Sequence, residues 1–359
     1  MPLIVSNDIV RDCVNMSEAI DILAQSYIDE ATGEAANRTK SNIHIPVDDG
    51  AAWYRYCTME GGSRKLGVVA IRIKSDIVNF FRDQGRFRSN WFCVRPGQYG
   101  GLILLYSAKN GELLAILNDG EIQHFRVGAT AAIAAKRMAN PSSLAVGVLG
   151  SGGMAWSHVV AYKSVFPNLR RVQVFSPNEE HRVSFCRKLE ATLEMDAMPV
   201  NDPREVFKNV QLVASCTDSL EPTFSGDWLE DGAHLTAVTL FEVDDSVYPK
   251  LHRIVTYREN VATHHFTTPE DFRPPALGAA VANQLRKLDL IAADRRGTLA
   301  DILLDKIQGR ESPEEINFFN SEGSGIQFAA VAKLAYEKCR DRGLGIDLPI
   351  DWFLQDIRN

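Results

Sequence analysis

The sequence predicts an α/β fold, a Rossmann-type parallel sheet joined to an α+β unit. Three observations predict it. At 144–162 (LAVGVLGSGGMAWSHVVAY) an apolar run enters a glycine-rich turn and continues into a helical pattern. Short apolar runs at 171–175, 212–215 and 234–238 then alternate with helical segments, the rhythm of parallel strands with crossover helices. Before residue 125 strands and turns follow one another instead, as in antiparallel pairing. A chain of 359 residues accommodates two such units.

In chain order, Asn15 and Glu18 suit a capping box, and Ile20, Leu23 and Tyr27 then share one helix face. Residues 53–58 and 68–73 are rich in β-branched and aromatic residues, with Gly61-Gly62 between them as the break. Gly100-Gly101 precedes the run 102–106, and residues 109–112 read as a hairpin turn into 113–117. The Ala-rich stretch 128–139 predicts a closely packed helix that Pro141 ends. A last helix, 326–339, lies beyond the parallel-sheet repeat and is free to return to the first unit.

Composition narrows the class. Hydrophobic residues make up 45%, charged 24%, and the formal net charge is −7. That is globular composition, and its acidity disfavours broad binding to a phosphate backbone, so no nucleic-acid partner is expected. No apolar run approaches the ~20 residues a bilayer span needs, and no signal-peptide pattern opens the chain, so a cytoplasmic protein with no membrane partner is expected. The six cysteines have no CxxC spacing and no nearby zinc-type His, so free thiols and no metal are expected.

The glycine-rich turn carries the strongest chemical signal. Gly150 permits a tight turn, Gly152 lets backbone N–H groups approach a pyrophosphate, and Ala155 keeps helix and strand close. A carboxylate ending the second strand would bind the ribose hydroxyls of NAD. Here Phe175, Ser176, Pro177 and Asn178 stand instead. A 2′-phosphate would meet no repulsion, and Ser176, Asn178 and Arg182 are its candidate ligands, which tilts the expectation toward NADP(H). The rival reading leaves Arg182 facing solvent.

Together, FRVGATAAIAAKRMA running into VGVLGSGGMA, then ASCTDSLEPTF, DGAHLTAV and GRESPEEINFFNSEGSGIQFAAVAKLAYEKCRDRGLG, resemble the ornithine cyclodeaminase/mu-crystallin family, in order over about residues 36–345. The resemblance implies a Rossmann domain (126–315) inserted into a substrate-binding and dimerisation domain (1–125 with 316–359). It also implies NAD(P)-linked chemistry at the Cα–N bond of an amino or imino acid, in a homodimer. The cofactor contacts expected on this fold are Gly150, Ser151, Gly152, Gly153, Met154, Ser176, Asn178, Arg182, Thr217, Val238, Ser321 and Gly323.

Residue by residue, the family's carboxylate-binding arginine matches Arg126 and its active-site lysine Lys74. An earlier arginine matches Arg38, with Arg55 as a rival. An α-carboxylate suits fixed guanidinium groups, and a lysine beside arginines has reason for a depressed pKa. An arginine at a helix start, where Arg126 is expected, opposes the macrodipole unless an anion offsets it. Lys74, alternating with Arg72, would otherwise face solvent. The chain departs from the family after DGAHLTAV, where Glu242 or Asp244 stands in for an aspartate as a catalytic acid/base or else caps the next helix. Residues 82–92 (RDQGRFRSNWF) form an insertion expected to shape or cover the pocket.

The remaining constellations are weaker. His264-His265 lacks converging partners and reads as loop or surface. There is no GxSxG elbow. Arg82, Arg86, Arg88 and Arg95 read as a pocket rim. The expected function is an NAD(P)(H)-dependent amino or imino acid oxidoreductase. Two alternatives stand beside it: a cyclodeaminase-type lyase releasing ammonia, and a non-enzymatic nucleotide- or ligand-binding protein.

Overall fold

The computed structural model describes residues 1–47, 51–83, 86–258, 264–267, 286–287 and 290–357. Its strands are β1 (Leu3–Val5), β2 (Ala35–Asn37), β3 (Ser41–Val47), β4 (Ala52–Ser63), β5 (Val68–Asp83), β6 (Arg86–Cys93), β7 (Arg95–Pro96), β8 (Gly100–Ser107), β9 (Leu113–Asn118), β10 (Ala145–Leu149), β11 (Arg171–Phe175), β12 (Asp196–Pro199), β13 (Leu212–Ser215), β14 (His234–Ala237), β15 (Arg253–Thr256), β16 (His264–Thr267), β17 (Arg296–Thr298), β18 (Asn317–Asn320) and β19 (Ile346–Asp347). The α-helices are α1 (Asn7–Cys13), α2 (Met16–Ala31), α3 (Gly120–Met138), α4 (Gly153–Val165), α5 (Glu179–Leu193), α6 (Leu299–Leu303) and α7 (Gly325–Arg342).

Two sheets result. One runs β16-β3-β4-β5-β8-β9-β1-β19, with β2 on β4 and the β6–β7 pair on β5. Its central strands are antiparallel, as the hairpin spacing predicts. The other runs β12-β11-β10-β13-β14-β18-β15-β17 and is parallel throughout. Its order turns at β10, which lies between β11 and β13. Ligands of open α/β sheets bind at such a switch point, outside the carboxyl ends of the strands.

Helix α3 joins the sheets. Its alanines 129, 131, 132, 134 and 135 are fully buried. At Gly128 a Cβ would stand 2.4 Å from the Ser157 carbonyl, so α3 and α4 cross at backbone contact. Helix α7 returns across the first sheet and packs on β4 and β5.

Three expectations change. Helix α3 begins at Gly120 rather than 128, because Asn118 and Asn7 side chains accept from the N–H groups of Gly120 and Glu121. Arg126 therefore lies inside the helix, and the macrodipole argument does not apply to it. Gly61-Gly62 is not a break: β4 runs through to Ser63. Glycine is needed at 61 because a Cβ would stand 2.2 Å from the Ile326 nitrogen at the start of α7. Residues 264–267, expected as loop, pair in parallel with β3.

Candidate functional site

The glycine-rich turn is built as the sequence predicts. Gly150 has φ +105°, and a Cβ there would meet the Cys216 carbonyl at 2.5 Å. Gly152 caps α4 without any side-chain cap, and the space where its Cβ would stand is open. The first N–H groups of α4 are thus left for an anion. Ala155 is fully buried behind them. The Ser321 hydroxyl, past the end of β18, is buried with no partner among the described residues. An unshielded helix N-terminus and a waiting hydroxyl at the carboxyl edge fit a dinucleotide. A cavity of about 820 Å³ opens on Ser151, Gly152 and Gly153, flanked by Trp156 of α4 and His181 of α5. Met154 follows in α4, while Thr217 and Val238 stand just past β13 and β14, on the same strand ends.

The second half of the site comes from strand alternation. Arg72, Lys74 and Asp76 share one face of β5, and register brings Met59, Cys57 and Arg55 of β4 beside them. Helix α7 covers that face. The charges therefore point inward, and apolar Val69 and Leu102 face outward, 44% and 46% exposed. Arg55 makes two hydrogen bonds to Asp76 (3.0 and 2.7 Å), and Arg72 donates to Asp119 at 2.6 Å. Gly101 leaves room for Asp119, whose Oδ1 would lie 2.0 Å from a Cβ.

Arg126 reaches the same place from α3. It is 7% exposed, donates to Gln327 Oε1 at 3.1 Å, and has no ion pair among the described residues. Its Nε is buried without an acceptor. Burial, then the charge of Arg72, draws the guanidinium down to about 9. The guanidinium carbons of Arg72 and Arg126 each lie 5.2 Å from the Phe328 ring centroid. Gly323 closes over Arg126: a Cβ would sit 2.8 Å from its Nη1. The loop after β18 thus links the carboxylate-type site to the nucleotide edge.

Lys74 lies 3.0 Å from Asp76, with its side chain 16% exposed. Burial lowers its amine to about 8, assisted by Arg55 and opposed by Asp76. An amine drawn down to about 8 can exchange a proton with a nitrogen brought against it.

Several expected residues stand elsewhere. Arg38 is turned outward, its side chain 76% exposed and 3.7 Å from Glu60. Its rival Arg55 is the one on the inward face. Asp244 caps a short 3₁₀ turn through Ser246. Glu242 is fully buried, and its Oε2 accepts from Ser215 Oγ, Thr217 N and Thr217 Oγ1. Burial still pushes it upward. That carboxyl braces the loop after β13, so neither acid is directed at the cationic cluster. Asn178 caps α5. Arg182 is buried and donates to the Ser176 carbonyl and Asn201, which removes it both from solvent and from a phosphate-binding role.

Sequence reasoning missed Lys40. Against the raising influence of Cys57, burial and the charges of Arg55, Arg72 and Arg126 lower its amine, and its own charge reaches Glu322. A weak signal existed, because Lys40, Asn42 and His44 alternate, and Asn42 and His44 are buried. Among the described residues there is no group of three metal-type ligands and no helix long and apolar enough to cross a membrane. The cysteines are free thiols.

The chain is 23% identical over 348 residues to a delta(1)-pyrroline-2-carboxylate reductase of Bacillus cereus, covering 96% of this chain and 98% of the relative. It is 26% identical over 254 residues to an alanine dehydrogenase of Archaeoglobus fulgidus, covering 68% and 72%. The delta(1)-pyrroline-2-carboxylate reductase of Thermococcus litoralis, solved with NADH and L-proline, superposes with a TM-score of 0.78 at 22% identity, covering 96% of this chain and all of that one. The model of the ornithine cyclodeaminase/mu-crystallin family matches residues 97–343, and the chain belongs to that family.

Proposed function

We propose that this chain is an NAD(P)(H)-dependent oxidoreductase acting at the Cα–N bond of an α-amino or α-imino carboxylate. The single observation that carries the reading is Arg126: a buried guanidinium without an acid partner among the described residues, roofed by the loop that ends a nucleotide-type strand. Such a group demands an anion, and a small carboxylate supplies one. The relatives named for pyrroline-carboxylate reduction and alanine oxidation support the same chemistry.

In this reading the dinucleotide, when bound at Gly150–Met154, supplies or accepts hydride. The chain does the rest. Arg126 and Lys40 hold the carboxylate and fix Cα, and Lys74 gives a proton to the substrate nitrogen or takes one from it. Ser321 and Gly323 shut the nucleotide edge against water. The missing carboxylate after β11 still admits a 2′-phosphate, so NADP(H) is the preferred form, without help from Arg182. A homodimer accords with the exposed apolar row Ile43, Ile45, Val69 and Leu102 on the outer sheet face.

The test follows cofactor fluorescence with NADH and NADPH against cyclic and linear imino acids. Turnover of at least one imino acid, with one reduced cofactor consumed per amino acid formed, is expected. Tight cofactor binding without turnover across the panel would overturn the reading. Ammonia release from a diamino acid without net cofactor turnover would identify the lyase instead.

A further inference from the structure

The inserted arm has a consequence for Lys74. Strand β5 continues to residue 83 and folds back as β6, whose register sets Trp91 opposite Val78, on the inward face that carries Lys74 and Asp76. Trp91 lies under two cations at once: the Arg55 guanidinium carbon is 3.9 Å from its ring centroid and the Lys74 Nζ is 5.0 Å away. Its indole N–H donates to Ser89 at 2.6 Å, which fixes the ring. Lys74 Nζ is also 4.1 Å from the Tyr99 ring centroid. Gly100, next in the chain, admits this turn: a Cβ there would stand 2.9 Å from the Cys93 sulfur.

We propose that Trp91 and Tyr99, supplied by the arm and the turn after it, are positioning residues that cage the Lys74 amine and hold it in the Asp76–Arg55 network. The inference rests on the function proposed above only for the purpose of the cage; the cage itself is a matter of geometry. Two ring faces exclude water from the amine and attract it when charged. Exclusion of water is the larger effect for a buried amine and the attraction the smaller, so the cage favours the neutral form. The charged and titratable groups facing Lys74 are Asp76 and Arg72 on its own strand, Arg55 and the cross-strand Cys57 on β4, and Tyr99; Asp218 of the nucleotide-binding half acts on Tyr99. Arg82 of the arm reaches Glu221 of that half at 3.8 Å, so the arm spans the crevice.

The experiment measures the Lys74 amine directly, by competitive labelling with acetic anhydride across pH and mass spectrometry of its peptide. Trp91→Ala is expected to raise the labelling midpoint by about one pKa unit toward that of ordinary lysine, and Trp91→Phe to keep it near the parent. Tyr99→Ala, at a position 58% exposed where folding is safe, is expected to move it the same way. An unmoved midpoint in Trp91→Ala and Tyr99→Ala, each folded by its thermal transition, overturns the cage. If the midpoint moves and the pH limb of kcat/KM moves with it, both readings hold. If the midpoint moves alone, the cage stands and the catalytic role of Lys74 fails.

Discussion

Lys74 Nζ sits 3.0 Å from an Asp76 carboxylate that Arg55 already engages through two hydrogen bonds. One anion is thus shared between two cations, and burial tips the balance so that the lysine amine falls to about 8. In the reductive direction proposed above, the charged amine would donate the proton. Activity is therefore expected to fall as pH rises through about 8, and oxidation of the amino acid to rise over the same range. Lys74→Met is expected to cut kcat by roughly 10²- to 10⁴-fold with cofactor affinity retained, checked by steady-state kinetics and calorimetry.

Arg126 is held in a site that costs stability. Replacing a buried, unpaired charge by an apolar side chain relieves desolvation. Arg126→Met is expected to unfold at a higher temperature, by about 1 kcal/mol in stability, while substrate affinity falls about 100-fold. Thermal melting and KM measured on the same preparation check both arms.

Lys40 and Arg38 separate the inward cation from the outward one. Lys40→Met is expected to raise KM by about 10-fold, the loss of one charge-assisted contact. Arg38→Met is expected to leave KM unchanged, since its exposed pair with Glu60 contributes little. Equal effects from the two would contradict the placement.

Gly150 has no room for a side chain. Gly150→Ala forces a positive φ on alanine and a clash with the Cys216 carbonyl. A loss of at least about 2 kcal/mol in stability is expected, with calorimetry detecting no uptake of either nucleotide.

Glu242 anchors the loop after β13. Glu242→Ala strands the Thr217 amide and leaves the Ser215 hydroxyl only its 3.3 Å contact with Thr223, at about 1–3 kcal/mol for the amide left unpaired. Chemical denaturation checks the loss. A rate effect with unchanged stability would restore the acid to catalysis.

Contacts between neighbours along the chain were legible in the sequence. The Asn15 cap, whose side chain accepts from the Glu18 amide, is a contact three residues apart. The strand–glycine–helix unit at 145–165 is set by local backbone freedom and by which residues alternate. Tertiary structure alone decided which face of a strand is inside. Alternation puts Arg72, Lys74 and Asp76 together, yet the same alternation serves a solvated edge; α7, from the far end of the chain, lands on that face and buries it. It also decided that Arg126 is mid-helix, because the start of α3 is held by Asn7, 114 residues from the Glu121 amide, together with the local Asn118. Arg182 was spent as a brace on Asn201 for the same reason. Hydrogen bonds and burial are settled by proximity in space, and a pattern read along one dimension carries the residue types but not the partners that claim them.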